Sequence, residues 1–145
     1  MSEVKELIVS AIKPEMVPLM WPLVSDMLNG AIDHANGELD EKDVFSRIIK
    51  GSMLLVTISQ GSDIIAALGL EQRDFGTGKR ILNVTLAGGS NAKDWIEQMD
   101  DVVHELAKDY KCDEVYIIGR KGWTRVLRDL GYETIHTVVS KKVGG

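Results

Sequence analysis

The sequence holds a single cysteine, Cys112, so no disulfide can close within the chain, which suits a reducing compartment such as cytoplasm. No partner motif for a nucleophile surrounds Cys112, and it reads as a small apolar residue at a helix end. The three histidines, His34, His104 and His136, lie far apart and match no metal-ligand spacing, so no metal is expected. No apolar run approaches the roughly 20 residues of a membrane-spanning helix. The head of the chain is charged, and the apolar run Leu7 to Ile12 behind it is too short for a signal peptide. A soluble, unprocessed protein with no membrane partner is expected. Excess positive charge is also missing: 17 Lys and Arg against 22 Asp and Glu leave a net charge of -5. That balance argues against a nucleic-acid partner held by phosphate neutralisation. No repeat, low-complexity segment or linker divides the chain. Its 145 residues read as one domain, 1–145, with a core that needs no staple.

The composition that remains, 44% hydrophobic and 27% charged, is that of a globular domain. The stretch Ile81 to Gly122 organises it. Residues 81–87 are rich in β-branched and apolar residues, Gly88-Gly89 break the pattern, and Ser90-Asn91 are good helix caps. From Ala92 the apolar positions Trp95, Ile96, Met99, Val102, Val103, Leu106, Ala107 and Tyr110 follow helical spacing, with Lys93, Asp94, Glu97, Asp100, Asp101, Glu105 and Lys108 opposite. Val115 to Ile118 is a short buried strand, so the unit is a crossover between parallel strands.

Upstream, Leu7 to Ile12 reads as a first strand stopped by Lys13-Pro14. Prolines 14, 18 and 22 delay the first helix, which is expected to start at Pro18 or Pro22 with Met20, Trp21, Val24, Met27, Leu28, Ala31, Ile32 and Ala35 inward. Asp40 caps a second helix that buries Val44, Phe45, Ile48 and Ile49 and stops at Gly51. Residues 53–58, 64–70 and 80–87 then form a meander joined by two hairpins. A short helix after Gly122 turns Trp123, Val126, Leu127 and Leu130 inward and ends at Gly131, and a last strand is expected from about Glu133 to Val143.

The resulting order, β-α-α-β-β-β-α-β-α-β, is a mixed α/β sheet covered by helices. Over nearly the whole chain it resembles the GNAT (Gcn5-related N-acetyltransferase) superfamily, which implies splayed central strands and helices on both faces. Leu86-Ala87-Gly88-Gly89 with Asp94-Trp95, and Gly119-Arg120-Lys121-Gly122-Trp123 with Arg125, Leu127, Gly131 and Tyr132, are most similar to small GNAT-like proteins encoded near virion genes of tailed bacteriophages.

The resemblance implies acetyl-CoA as the one cofactor. Its pyrophosphate would lie against Leu86, Ala87, Gly88, Gly89, Ser90 and Asn91 and the positive end of the helix that follows. The alternative for that loop is a tight strand-to-helix turn. Three features of working relatives are missing. The loop has no Arg or Gln at its head and its glycines are adjacent rather than spaced. Residues 81–87 contain no acid to serve as base; Glu71 and Asp74 are nearest, and both also read as exposed strand-end charges. Leu127 occupies the position, four before Gly131-Tyr132, where relatives carry a proton-donating tyrosine. No catalytic residue is assigned. Tyr132 reads as a structural aromatic, and Trp123 as core or as a filler of the groove between the splayed strands.

Arg120, Lys121, Arg125 and Arg128 form a basic cluster, fit for a phosphate, an acidic partner or nucleic acid, or a solvated helix face balanced by Asp129 and Glu133. These departures point to a phage GNAT-fold protein with a degenerate acetyl-CoA site. It is expected to act through protein contacts as a virion-associated or host-factor-binding protein, in the host bacterial cytoplasm or the virion. An acetyl-CoA-dependent N-acetyltransferase with non-standard catalytic residues is the alternative. An unpaired edge on the first or last strand leaves room for a homo-oligomer.

Overall fold

The computed structural model describes residues 6–35, 37–118 and 122–144. The chain builds β1 (Leu7–Ile12), α1 (Val17–Ile32), α2 (Glu41–Lys50), β2 (Leu54–Gln60), β3 (Asp63–Asp74), β4 (Arg80–Gly89), α3 (Ile96–Asp109), β5 (Glu114–Ile117) and α4 (Trp123–Asp129). The strands form one sheet in the order β1-β2-β3-β4-β5. Pairing is antiparallel from β1 to β4 and parallel between β4 and β5. The reason is connection length: Gly61-Ser62 suffices for a hairpin, with Gly61 at φ 63 supplying the left-handed turn residue, whereas parallel strands need the α3 crossover.

Strand alternation separates two cores. Val56, Ile58, Ala66, Leu68, Leu70, Leu82 and Val84 face α3 and pack with Trp95, Met99, Val103 and Leu127. Leu55, Ala67 and Leu86 face the other way, against Val17, Val24, Leu28, Val44 and Ile48 of α1 and α2. Helices thus cover both faces.

Local signals account for the helices. Asp40 accepts the Asp43 N–H at 2.8 Å to start α2, and Gly51, at φ 84, ends it. A 3-10 turn at Pro14–Met16 leads directly into α1 at Val17, one residue ahead of Pro18 and five ahead of Pro22, the two expected starts. Pro18 falls in the first turn, where a missing N–H costs nothing, and Val17 is fully buried, so packing sets the start. Pro22 lies inside α1 and removes one backbone bond there.

One irregularity shapes everything at the centre. Leu70 pairs with Val84 and Gly69 with Leu86, so β4 carries Thr85 as an extra residue. The bulge reverses the alternation: Val84 points to the α3 core and Leu86, two residues on, to the α1 core. β5 pairs with β4 only as far as Val84–Ile117, while β4 continues to Gly89. The two strands therefore part at the bulge, as the resemblance implied.

The expected last strand is absent. Among the described residues, 133–144 form no strand, and Val138 and Val139 are 92% and 87% exposed. The alternating pattern reports that the segment can pair, but pairing also needs an edge within reach. Gly131, at φ 94, ends α4, the Tyr132 N–H bonds to the Leu127 carbonyl, and the Tyr132 hydroxyl donates to Asp100 on α3 at 2.7 Å. The chain is thus anchored at Tyr132, and the residues beyond it are exposed.

Asp100, expected on the wet face of α3, has its side chain 18% exposed and takes this bond, with His104 Nδ1 3.0 Å away. Burial first, and Asp100 second, raise the Tyr132 pKa well above the ordinary tyrosine value. Its folded form favours the neutral phenol, so the contribution to stability is complete below about pH 10 and falls as pH rises further. Tyr132→Phe should lower stability by about 1.5 kcal/mol, the low end for a bond to a carboxylate because the pair is partly open to water. Urea unfolding at neutral pH checks it, and the variant should lose less stability than the parent above pH 10.

Candidate functional site

The parting of β4 from β5 opens a cleft of about 250 Å³ on the α1 and α2 side of the sheet. Thr85, Leu86 and Ala87 form one wall, Ile117 and Trp123 another, and Ala31, His34 and Glu38 lie over it. Trp123 fits both sequence readings at once. It lines the cleft, and its ring meets the buried Trp95 edge-on, with centroids 5.9 Å apart at 61°.

A polar network borders the cleft. Arg47 Nη1 donates to both Glu71 oxygens, at 3.3 and 3.2 Å, and Thr85 Oγ1 donates to Glu71 Oε1 at 2.6 Å. Asn83 Nδ2 donates to Thr85 Oγ1 at 2.9 Å. The Asn83 orientation is fixed by the proton count: Thr85 has one hydroxyl hydrogen, given to Glu71, so it must accept from Asn83. Asn83 is fully buried, and its Oδ1 has no partner among the described residues. Glu71 departs from its reading as an exposed strand-end charge, because β3 runs on to Asp74 and Arg47 covers the carboxylate, leaving the side chain 14% exposed. Asp74 keeps that reading: it is exposed and paired with Arg80 at 2.6 Å.

Gly88 and Gly89 are not a loop. They are the last residues of β4, paired with Ala67 and Ala66 of β3. A Cβ on Gly88 would lie 2.0 Å from the Met27 carbonyl oxygen, so this glycine lets α1 rest on bare β4 backbone. A Cβ on Gly89 would lie 2.2 Å from the Ile65 carbonyl oxygen, a second close backbone approach.

The junction to α3 uses its own donors. Ser90 N–H bonds to the Ile65 carbonyl at 2.9 Å, and Ser90 Oγ turns to the same oxygen rather than capping a helix. Asn91 Oδ1 accepts from Lys93 N–H at 3.3 Å, at the start of a 3-10 turn over Ala92–Asp94. Asp94 N–H and Trp95 N–H bond to the Asn91 and Ala92 carbonyls, at 2.9 and 3.1 Å. The Trp95 indole N–H donates to the Ser90 carbonyl at 3.1 Å. The positive end of α3 is therefore preceded by a turn whose N–H groups point inward and which carries the carboxylate of Asp94. The donors of the junction ahead of α3 are thus engaged within the chain, and a pyrophosphate does not find them free.

Leu127 is 7% exposed and belongs to the α3-side core. Arg125 and Arg128 are exposed on α4, without ion pairs to Asp129 or Glu133, while Arg120 and Lys121 lie outside the described residues. Burial pushes the Cys112 thiol up, which fits its reading as an unreactive apolar residue. Among the described residues, no group of three or more His, Cys, Asp and Glu side chains is arranged to hold a metal, and no helix is long and apolar enough to cross a membrane.

The sequence reading missed His34, Glu38, Arg47 and Arg73 as cleft residues. No spacing signals them, because they reach the cleft from the connection after α1, from α2 and from β3.

No family model matches the sequence, and no curated protein matches it. Solved structures do. The chain is similar to a ribosomal-protein-alanine N-acetyltransferase from Brucella melitensis biovar Abortus 2308, with TM-score 0.70 and 9% identity over 96% of this chain and 100% of that one. It is similar to a predicted acetyltransferase with acetyl-CoA from Clostridium acetobutylicum, with TM-score 0.66 and 13% identity over 95% and 97% of the two chains. A GCN5-related N-acetyltransferase from Ralstonia eutropha JMP134 matches with TM-score 0.66 and 10% identity over 96% and 100%. At these identities the likeness is one of fold: this is the GNAT architecture.

Proposed function

We propose that this chain uses an acetyltransferase architecture for protein recognition rather than acetyl transfer, as a virion-associated or host-factor-binding protein of a tailed phage. The observation that carries the reading is the turn before α3, where Ser90, Lys93, Asp94 and Trp95 N–H groups are bonded inside the chain. Those donors are spent ahead of the helix, which supports a degenerate acetyl-CoA site. Leu127 adds to it, since a leucine buried in the core gives a leaving thiolate no proton. Exposed Ile135, Val138, Val139 and Val143 supply apolar surface of the kind protein partners cover. The phage assignment rests on the likeness of the Leu86 to Trp95 and Gly119 to Tyr132 blocks. It places the protein in the host cytoplasm or the virion.

A second reading has one observation in its favour. Glu71 is a shielded carboxylate bonded to Thr85, whose side chain lines the cleft, and a hydroxyl in that position can pass an amine's proton to a carboxylate. Thermal unfolding with acetyl-CoA separates the two. A cofactor bound at 100 times its dissociation constant stabilises a fold by about 2.7 kcal/mol, several degrees in midpoint. No shift at millimolar acetyl-CoA is expected; a saturable shift together with thiol release in the presence of amines would establish the enzyme.

A further inference from the structure

Two arginines reach the cleft, Arg47 from α2 and Arg73 from β3. Glu71 and Arg73 stand two apart on β3, so they share one face of the sheet, and Glu71 is the carboxylate to which Arg47 is tied. Two guanidinium groups therefore flank one carboxylate, which leaves one positive charge in surplus. Glu71 has little left to offer Arg73, because its oxygens already accept Arg47 Nη1 and the Thr85 hydroxyl. Among the described residues the Arg73 side chain makes no hydrogen bond or ion pair. Arg47 spends only Nη1 on Glu71, so Nη2 and Nε of the same fork remain to donate.

The rest of the lining is apolar where it faces these donors' cleft: Leu86, Ala87, Ile117 and Trp123 present aliphatic and aromatic surface. The volume of about 250 Å³ lies below the roughly 300–1,000 Å³ of pockets for drug-sized ligands and suits a body the size of one amino-acid residue. Glu38, on the connection after α1, adds a negative charge over the cleft, which disfavours a dianion such as phosphate more than a singly charged group.

We propose that the cleft binds a single carboxylate carried on an apolar body, with Arg73 as the residue that selects it. The carboxylate takes the fork of Arg73 and the remaining nitrogens of Arg47, and the body lies against Leu86, Ile117 and Trp123. A small organic acid and the C-terminal residue of a polypeptide share this chemistry. The site is read in the absence of cofactor, so it stands or falls separately from the acetyl-CoA question.

Calorimetric titration of the full chain with N-acetyl-leucine, its amide, inorganic phosphate and an acetylated tripeptide ending in leucine tests it. N-acetyl-leucine should bind saturably with a Kd on the order of millimolar, as expected for a ligand of about a dozen heavy atoms. The amide, of the same shape but uncharged, should bind at least about tenfold more weakly, and so should N-acetyl-leucine to the variant Arg73→Gln. Arg73→Lys keeps the charge without the fork and should fall between. The Arg73 side chain is exposed and holds no other described residue, so both variants should unfold at the parent's urea midpoint. A tripeptide that binds more tightly than N-acetyl-leucine assigns the carboxylate to a polypeptide end; equal or weaker binding assigns it to a small acid. Equal binding of acid and amide, undiminished binding to Arg73→Gln, or phosphate that competes as well as N-acetyl-leucine would overturn the proposal. So would the failure of both carboxylates to bind at tens of millimolar.

Discussion

Gly88→Val should destabilise the fold by about 3 kcal/mol, the upper end for overpacking, with no cofactor present. The ideal Cβ at this position lies 2.0 Å from the Met27 carbonyl oxygen, 3.0 Å from the Met27 carbonyl carbon and 3.6 Å from Ala31 Cβ. The first two are helix backbone, which cannot rotate aside as a flexible side chain can. α1 must then lift from β4, and that loosens the contacts of Leu28 and Leu86 in the α1-side core. The measurement is the urea midpoint of the variant. A midpoint equal to the parent's would mean that α1 does not rest on Gly88, and the glycine would need another explanation.

Trp95→Ala should cost about 3–5 kcal/mol, the range for emptying a buried aromatic site. Trp95 is 1% exposed and joins the 3-10 turn to α3. It packs with the α3-side core, meets Trp123 edge-on, and its indole N–H holds the Ser90 carbonyl. Trp95→Phe keeps much of the apolar contact and loses that hydrogen bond, so its effect should be clearly smaller. Guanidinium unfolding of the pair gives both numbers. A loss below about 1 kcal/mol for the alanine variant would show that the ring does not carry the packing assigned to it.

The fold was legible where the signals are local. β1 has the limits the sequence implies, and α2 runs from its Asp40 cap to its Gly51 stop because capping and a left-handed glycine are properties of neighbouring residues. The amphipathic face of α3 emerged for the same reason, with Met99, Val103 and Ala107 buried at helical spacing. Gly88 and Gly89 looked like breakers because glycine is one locally, but their role depends on β3 at one edge and α1 above, which no window of sequence contains. Glu71 looked exposed because the strand appeared to end there; Arg47, 24 residues earlier, covers it. The last strand failed in the opposite way. The pattern in residues 133–143 is strand-like, but a strand is completed by a neighbour, and the described structure brings none to it. At the candidate site, Leu127 and the adjacent glycines were visible in the sequence, whereas the Asn83 oxygen without a partner among the described residues and the lining by His34 and Arg47 exist only once the chain is folded.

On the proposed reading, the chain's own hydrogen bonds take up the donors ahead of α3 that a cofactor pyrophosphate would use. Titration of acetyl-CoA into isotopically labelled protein, followed at the backbone amides of residues 90–96, addresses it at the atoms concerned. The Ser90, Lys93, Asp94 and Trp95 resonances should stay in place to millimolar cofactor, because their N–H groups already have acceptors. Saturable movement confined to Ser90, Lys93, Asp94 and Trp95 would contradict the account.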